Sequence, residues 1–169
     1  MPTPLPTVSP NAETVGGSVA GFNNAIGSGN LSALGPGSWF YSGPYGETNT
    51  WVYTKEDNYQ WDPNSPHRVI VVTTQLEFDQ YTLAQATAVA PLFLPPDAKL
   101  LGTKPPPTGR DGIEKTYFSQ MLANTLPAAD FKDQNGNAVR PGTIFVMFDG
   151  AGNYFSQVEL STDEGSSYY

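Results

Sequence analysis

Apolar and polar positions divide the chain into three textures. Between Val15 and Leu34 the apolar residues Val15, Val19, Phe22, Ile26, Leu31 and Leu34 recur irregularly among glycines, after an opening that carries Pro2, Pro4, Pro6 and Pro10. No helical or strand period there is long enough to bury these six side chains together. Residues 1–38 are therefore expected to be an extended N-terminal arm, with those six residues as separate anchors on a partner surface. A low-complexity tail fits the same composition. On the anchor reading, removal of residues 1–36 leaves a folded β domain.

The second texture is aromatic: Trp39, Tyr41, Trp51, Tyr53 and Trp61 lie within 23 residues. Residues 49–54 read as a strand with Trp51 and Tyr53 on one face and Val52 on the other. After the turn residues of Asp62–Pro66, residues 67–79 read as a central strand. It begins as the apolar run Val69–Val72 and continues with Thr74 and Leu76 facing opposite to Gln75 and Glu77. A short helix is expected over 82–89, a packed extended piece at 92–94 and a polyproline linker at 104–109. The spacing of Ile113, Tyr117, Met121 and Leu122 predicts the main helix over 111–125.

The last third is again β. Asn135-Gly136 is a strong hairpin signal, residues 143–148 read as a strand with apolar residues on both faces, and Asp149–Asn153 turns it into a strand over 154–160 in which Gln157 and Glu159 oppose Tyr154, Val158 and Leu160. The expected architecture is mainly β, a sandwich or barrel with one α-helix and a long N-terminal arm. Its divisions are an arm at 1–38, a β-rich domain at 39–162 and a C-terminal tail at 163–169.

Charge changes the picture in two ways. Sixteen acidic residues against eight basic ones give a net charge of −8, which disfavours a phosphate backbone, so no nucleic acid is expected as a partner. Charged residues make up only 14% of the chain, below the roughly 25% usual in soluble domains, as expected if part of the surface is covered by other subunits. Residues 1–30 lack the pattern of a secretion signal, and Ala84–Leu94 is interrupted by Pro91 and too short for a bilayer, so neither export by a standard signal nor a membrane partner is expected.

Candidate chemistry is sparse. The chain has no cysteine, and His67 is its single histidine, so a catalytic relay or zinc site would have to be built around one imidazole. A surface histidine at a strand start is the simpler reading. Glu77 and Asp79 share a strand face at about 7 Å, a spacing a glycosidase could use; a solvated face accounts for them equally. The clusters Asp133–Asn137 and Asp149–Asn153 resemble calcium loops faintly, but their glycines fall too early and hairpin turns explain both. No catalytic, cofactor or metal residue is assigned. The aromatics Trp39, Tyr41, Trp51, Tyr53 and Trp61 are either interface or core residues, or a platform for sugar stacking.

Small, acidic, cysteine-free and β-rich, with a Pro/Gly/Ala arm over 1–38, the chain resembles virion proteins of tailed bacteriophages, capsid decoration (cement) proteins above all. The resemblance rests on overall texture and carries no functional residue over. It implies a non-enzymatic subunit of the virion, assembled in the host cytoplasm. Such a subunit binds the major capsid protein or other virion subunits at capsid junctions, as a homo-oligomer such as a trimer, with its arm clamping neighbours. A tail-tube or head–tail connector subunit has much the same texture. From another class, a carbohydrate-binding β-sandwich would use the aromatic run.

Overall fold

The computed structural model of the chain describes residues 13–26, 31–35, 37–43, 48–54, 67–76 and 81–165. The protein is mainly β, and the eight strands described belong to one antiparallel sheet. In chain order they are β1 (Ser32–Gly35), β2 (Ser38–Ser42), β3 (Asn49–Thr54), β4 (Val69–Gln75), β5 (Lys99–Lys104), β6 (Gly112–Phe118), β7 (Thr143–Ala151) and β8 (Tyr154–Ser161). Their spatial order is β1-β2-β3-β4-β8-β7-β6-β5. Two four-stranded meanders thus meet at the β4–β8 pair, and after β4 the chain crosses from the middle of the sheet to its far edge before winding back.

Residues paired across antiparallel strands point to the same face, so the register identifies the core directly. One row runs Ile113, Phe148, Val158, Thr74, Thr50, Tyr41, and the next runs Val146, Leu160, Val72, Val52, Trp39. Both rows are buried apart from the half-buried Ile113. The 81–98 crossover packs on this face with α2 (Leu83–Thr87), capped by reciprocal bonds between Thr82 and Gln85, and delivers Ala86, Val89, Ala90 and Phe93 to the core. Helix α3 (Gln120–Thr125) adds Leu122.

The N-terminal stretch completes the same layer and corrects the arm reading over its described part. Val15 N donates to Phe93 O, Gly16 N to Val69 O, and Val69 N to Gly17 O. Helix α1 (Val19–Ala25), capped by Ser18, stacks Phe22 on Phe93 with ring centroids 6.4 Å apart. Val15, Val19, Phe22 and Leu31 are at most 3% exposed, and Ile26 packs against them. Side chains without accessible surface have none to offer a partner, so of the six expected anchors only Leu34, 58% exposed, and the half-buried Ile26 keep surface for one. Residues 1–12 and the tail from 166 onward lie outside the described residues.

The helix expected over 111–125 is divided. Residues 112–118 are β6, paired with both β5 and β7, and the helix starts only at Gln120, after Ser119 caps it by accepting from Leu122 N at 3.0 Å. The residues Ile113–Phe118 carry no clean apolar/polar alternation, so pairing with β5 and β7 rather than local pattern makes them a strand. Gly112, at φ 141°, also favours a strand start, since a Cβ there would collide with Phe148 O. The polyproline segment is the connection from β5 to β6. The piece expected to be extended at 92–94 is turned instead: Leu92 ends a 3₁₀ turn over Ala90–Leu92 and Phe93 closes it at φ −115°, ψ 0°, with its ring packed in the core as expected.

Candidate functional site

The second face of the sheet carries the polar chemistry. Its central row is Glu114, Met147, Glu159, Thr73, Trp51, Phe40. Alternation placed Glu159 opposite Val158 and Leu160, as expected, but Glu159 is only 3% exposed and Glu114 only 1%. Carboxylates so deeply buried require partners, and two loops supply them.

The β5–β6 loop brings Arg110 over the sheet. Its Nε and Nη2 donate to the two Asp149 oxygens at 3.0 and 2.5 Å, and Nη1 donates to Glu159 Oε1 at 2.9 Å. Gln157 Nε2 also donates to Asp149, at 3.1 Å, and Thr73 Oγ1 reaches Glu159 at 3.5 Å. A planar guanidinium held at three of its nitrogens is fixed in orientation as well as position. Tyr53, on the neighbouring strand row, has its phenol pKa raised by burial and then by the Glu159 charge.

Beside this network lies a second one. Lys104 Nζ is 2.5 Å from Glu164 Oε2 and 3.4 Å from Glu114 Oε1, and stands 5.3 Å from the centroid of the Phe145 ring. Glu164 Oε1 accepts from Gln134 N, and Gln134 Oε1 accepts from Thr108 N, both at 3.0 Å. The cluster therefore ties β5, β6, the 131–139 hairpin and the C-terminal segment together. Two carboxylates facing one ammonium leave one charge uncompensated, and the proton settles on Glu114. Burial, then the adjacent Glu164 carboxylate, push its pKa up from 4.5 to about 8. Glu164 moves the other way: burial opposes its charge, but bonds from Glu114, Lys104 and Gln134 outweigh that cost.

This arrangement gives stability a definite pH dependence. The folded chain holds the Glu114 proton more tightly than the unfolded chain, so that contribution is complete below about pH 4.5 and is lost as pH rises to about 8. Glu164, with a lowered value, contributes above its ordinary range and loses that contribution on acidification. Melting curves from pH 5 to 8.5 are expected to fall steadily for the native chain and to be flatter for Glu114→Gln. The variant should melt higher by on the order of 5 °C at pH 8. Parallel curves for the two proteins would show that Glu114 is not the proton carrier.

A cleft of about 620 Å³ opens beside Arg110 and Asp149, between the loop at Gly109–Asp111 and the β7–β8 hairpin. The hairpin contains a β-bulge: Asp149 pairs with Gln157 but Gly150 with Phe155, leaving Ser156 extra. The extra residue reverses the alternation, so Phe155 enters the core at 3% exposure and Tyr154 stands out at 52%. The sequence reading had grouped Tyr154 with Val158 and Leu160, because a bulge leaves no mark on a pattern of alternating residues.

The expected aromatic run is split between the two faces. Trp39 and Tyr41 are core residues, 0% and 3% exposed, whereas Trp51 and Tyr53 are half-buried on the polar face, where Trp51 meets Phe40 at a centroid distance of 5.3 Å. The run therefore does not form one continuous stacking platform. Trp61, Glu77 and Asp79 lie outside the described residues. His67 is half-buried just before β4, its carbonyl accepting from Val19 N. The Asp133–Asn137 cluster is a turn in which Asp133 Oδ1 accepts from Asn135 N and Asn137 N. Among the described residues no group of three or more His, Asp and Glu is placed to hold a metal ion, and no helix is long and apolar enough to cross a membrane.

Both ends of the sheet share a feature that the sequence did not reveal. Strand β1 contains a register shift that leaves Leu34 extra, and β5 one that leaves Leu101 extra; these leucines are 58% and 59% exposed, and Leu100 is 54% exposed. No protein-family model, curated protein or solved structure matches the chain.

Proposed function

We propose that the protein is a non-enzymatic structural subunit of a viral particle, of the capsid-decoration kind, seated where neighbouring subunits meet. The observation that carries this reading is the pair of leucine-bearing sheet ends. Edge strands in proteins that stay apart are usually guarded by charge; Ser32–Gly35 has none, and β5, although Lys99 and Lys104 stand at its two ends, sets Leu100 and Leu101 in water. The bulges discourage simple strand addition, so the contacts are side-chain ones, with leucines entering pockets on adjoining subunits. This moves the grip from an extended arm to the two ends of the sheet. A tail-tube or connector subunit would use the same edges in a ring.

Leu34→Lys and Leu101→Lys test the reading. Both positions are exposed, so each variant is expected to keep its stability within about 0.5 kcal/mol while its incorporation into particles drops severalfold, measured as copy number per purified particle. Full incorporation of the double variant would remove the sheet ends from the assembly contacts.

A further inference from the structure

We propose that the cleft between the Gly109–Asp111 loop and the β7–β8 hairpin is a binding site for a neutral saccharide bearing a vicinal diol. The proposal goes beyond the assembly role and does not depend on it. Its first support is the form of the polar wall. Arg110 and Asp149, 18% and 21% exposed at their side chains, line the cleft as a locked pair. Their joined edge sets the guanidinium beside a carboxylate acceptor: Asp149 Oδ2 already accepts from Nη2 and from Gln157 Nε2, whereas Oδ1 accepts from Arg110 Nε at 3.0 Å and keeps a lone pair for a ligand. Adjacent hydroxyls on a sugar ring present the complementary arrangement, one accepting from the guanidinium and its neighbour donating to the carboxylate.

The second support is Tyr154. The Ser156 bulge turns this ring out of the core and onto the rim of the same cleft, where it is placed to cover the apolar C–H face of a pyranose. Gln157, donating to Asp149, fixes the carboxylate from the other side. The wall is thus organised before any ligand arrives, and little ordering is needed on binding. A volume of about 620 Å³ suits one or two sugar units.

Charge selects against the obvious competitors. The single positive charge of Arg110 is shared between Asp149 and Glu159, and Asp111 adds another carboxylate to the lining. The site is therefore net negative, and phosphorylated or sulfated ligands are repelled. A free monosaccharide and the terminal unit of a longer glycan share the required chemistry.

Amide NMR titration of the full chain separates these cases, using methyl α-glucoside, methyl α-mannoside, maltotriose and inorganic phosphate as probes. Saturable shifts are expected from at least one saccharide, confined to 109–111, 149–151 and 154–157, with Kd on the order of 1–10 mM for a single sugar. A tighter Kd for maltotriose identifies a longer glycan as the ligand, and an equal one identifies a single unit. Tyr154→Ala is expected to weaken binding about tenfold with unchanged melting temperature, while Tyr154→Phe, which keeps the ring, retains it. The proposal is overturned by any of three results: no saturable saccharide shift in this region, phosphate binding as well as the sugars, or Tyr154→Ala binding like the native chain.

Discussion

Deletion of residues 1–36 is expected to unfold the protein. It removes Val15, Val19, Phe22 and Leu31, all at most 3% exposed. At about 1.5–3 kcal/mol for each large apolar side chain, four such losses amount to roughly 6–12 kcal/mol. Net stabilities of single domains lie at about 5–15 kcal/mol, so the remainder has little or nothing left. The loss is compounded at Phe93, whose stacking partner Phe22 and backbone partner Val15 disappear together. Circular dichroism and a urea melt of the truncated chain decide the matter. A cooperative melt for the chain starting at residue 37 would restore the arm reading. Hydrogen exchange offers an independent check, because the amides of Val15 and Gly16, bonded to Phe93 O and Val69 O, should be protected alongside β4.

Arg110→Ala is expected to cost about 3–5 kcal/mol, the range for breaking a buried ion pair from one side. The reason is less the lost attraction than what stays behind: Glu159, 3% exposed, and Asp149 would face each other across a gap with no cation between them. Adding Glu159→Gln to Arg110→Ala should recover a substantial part of the loss, since an amide carries no charge to strand. A denaturant series on the native chain, both single variants and the double variant measures this coupling. Simple additivity of the two substitutions would mean that the guanidinium holds neither carboxylate in place. Lys104→Met should cost less, about 2–3 kcal/mol, because Lys104 is 35% exposed at its side chain and Glu114 already carries a proton.

Taken together, the two ion clusters show how part of the second face of the sheet is covered among the described residues. On the core face, burial of Val72, Val52, Leu160 and Val146 is matched by helices and by the 13–26 stretch. On the opposite face, the end of β5, the β5–β6 loop and the C-terminal segment bring Lys104, Arg110 and Glu164 over the carboxylates, and their charges are neutralised one against another. The same construction leaves Arg110 and Asp149 partly open at the cleft, where the fixed pair meets solvent and Tyr154.

Local pattern alone determined the strands whose periodicity is undisturbed. β3 was legible at Asn49–Thr54 through alternation, β4 and β7 through apolar runs buried on both faces, and β8 through the alternation of Gln157 and Glu159 with Val158 and Leu160 beyond its bulge. The Asn135-Gly136 turn was legible for a similar reason, since Gly136 takes a φ of 81° that few other residues tolerate. What the tertiary structure alone decided were the features that depend on a distant partner. Residues 112–118 became a strand because β5 and β7 stand ready to pair with them, which outweighs a modest helical spacing. Val15, Val19, Phe22 and Leu31 have no period because they fill separate gaps over Phe93 and the sheet rather than one face of their own element. Arg110, Asp149 and Glu159 sit 39 and 49 residues apart in the chain, and no spacing rule joins them. Their meeting depends on a loop folding over a register that only the assembled sheet defines.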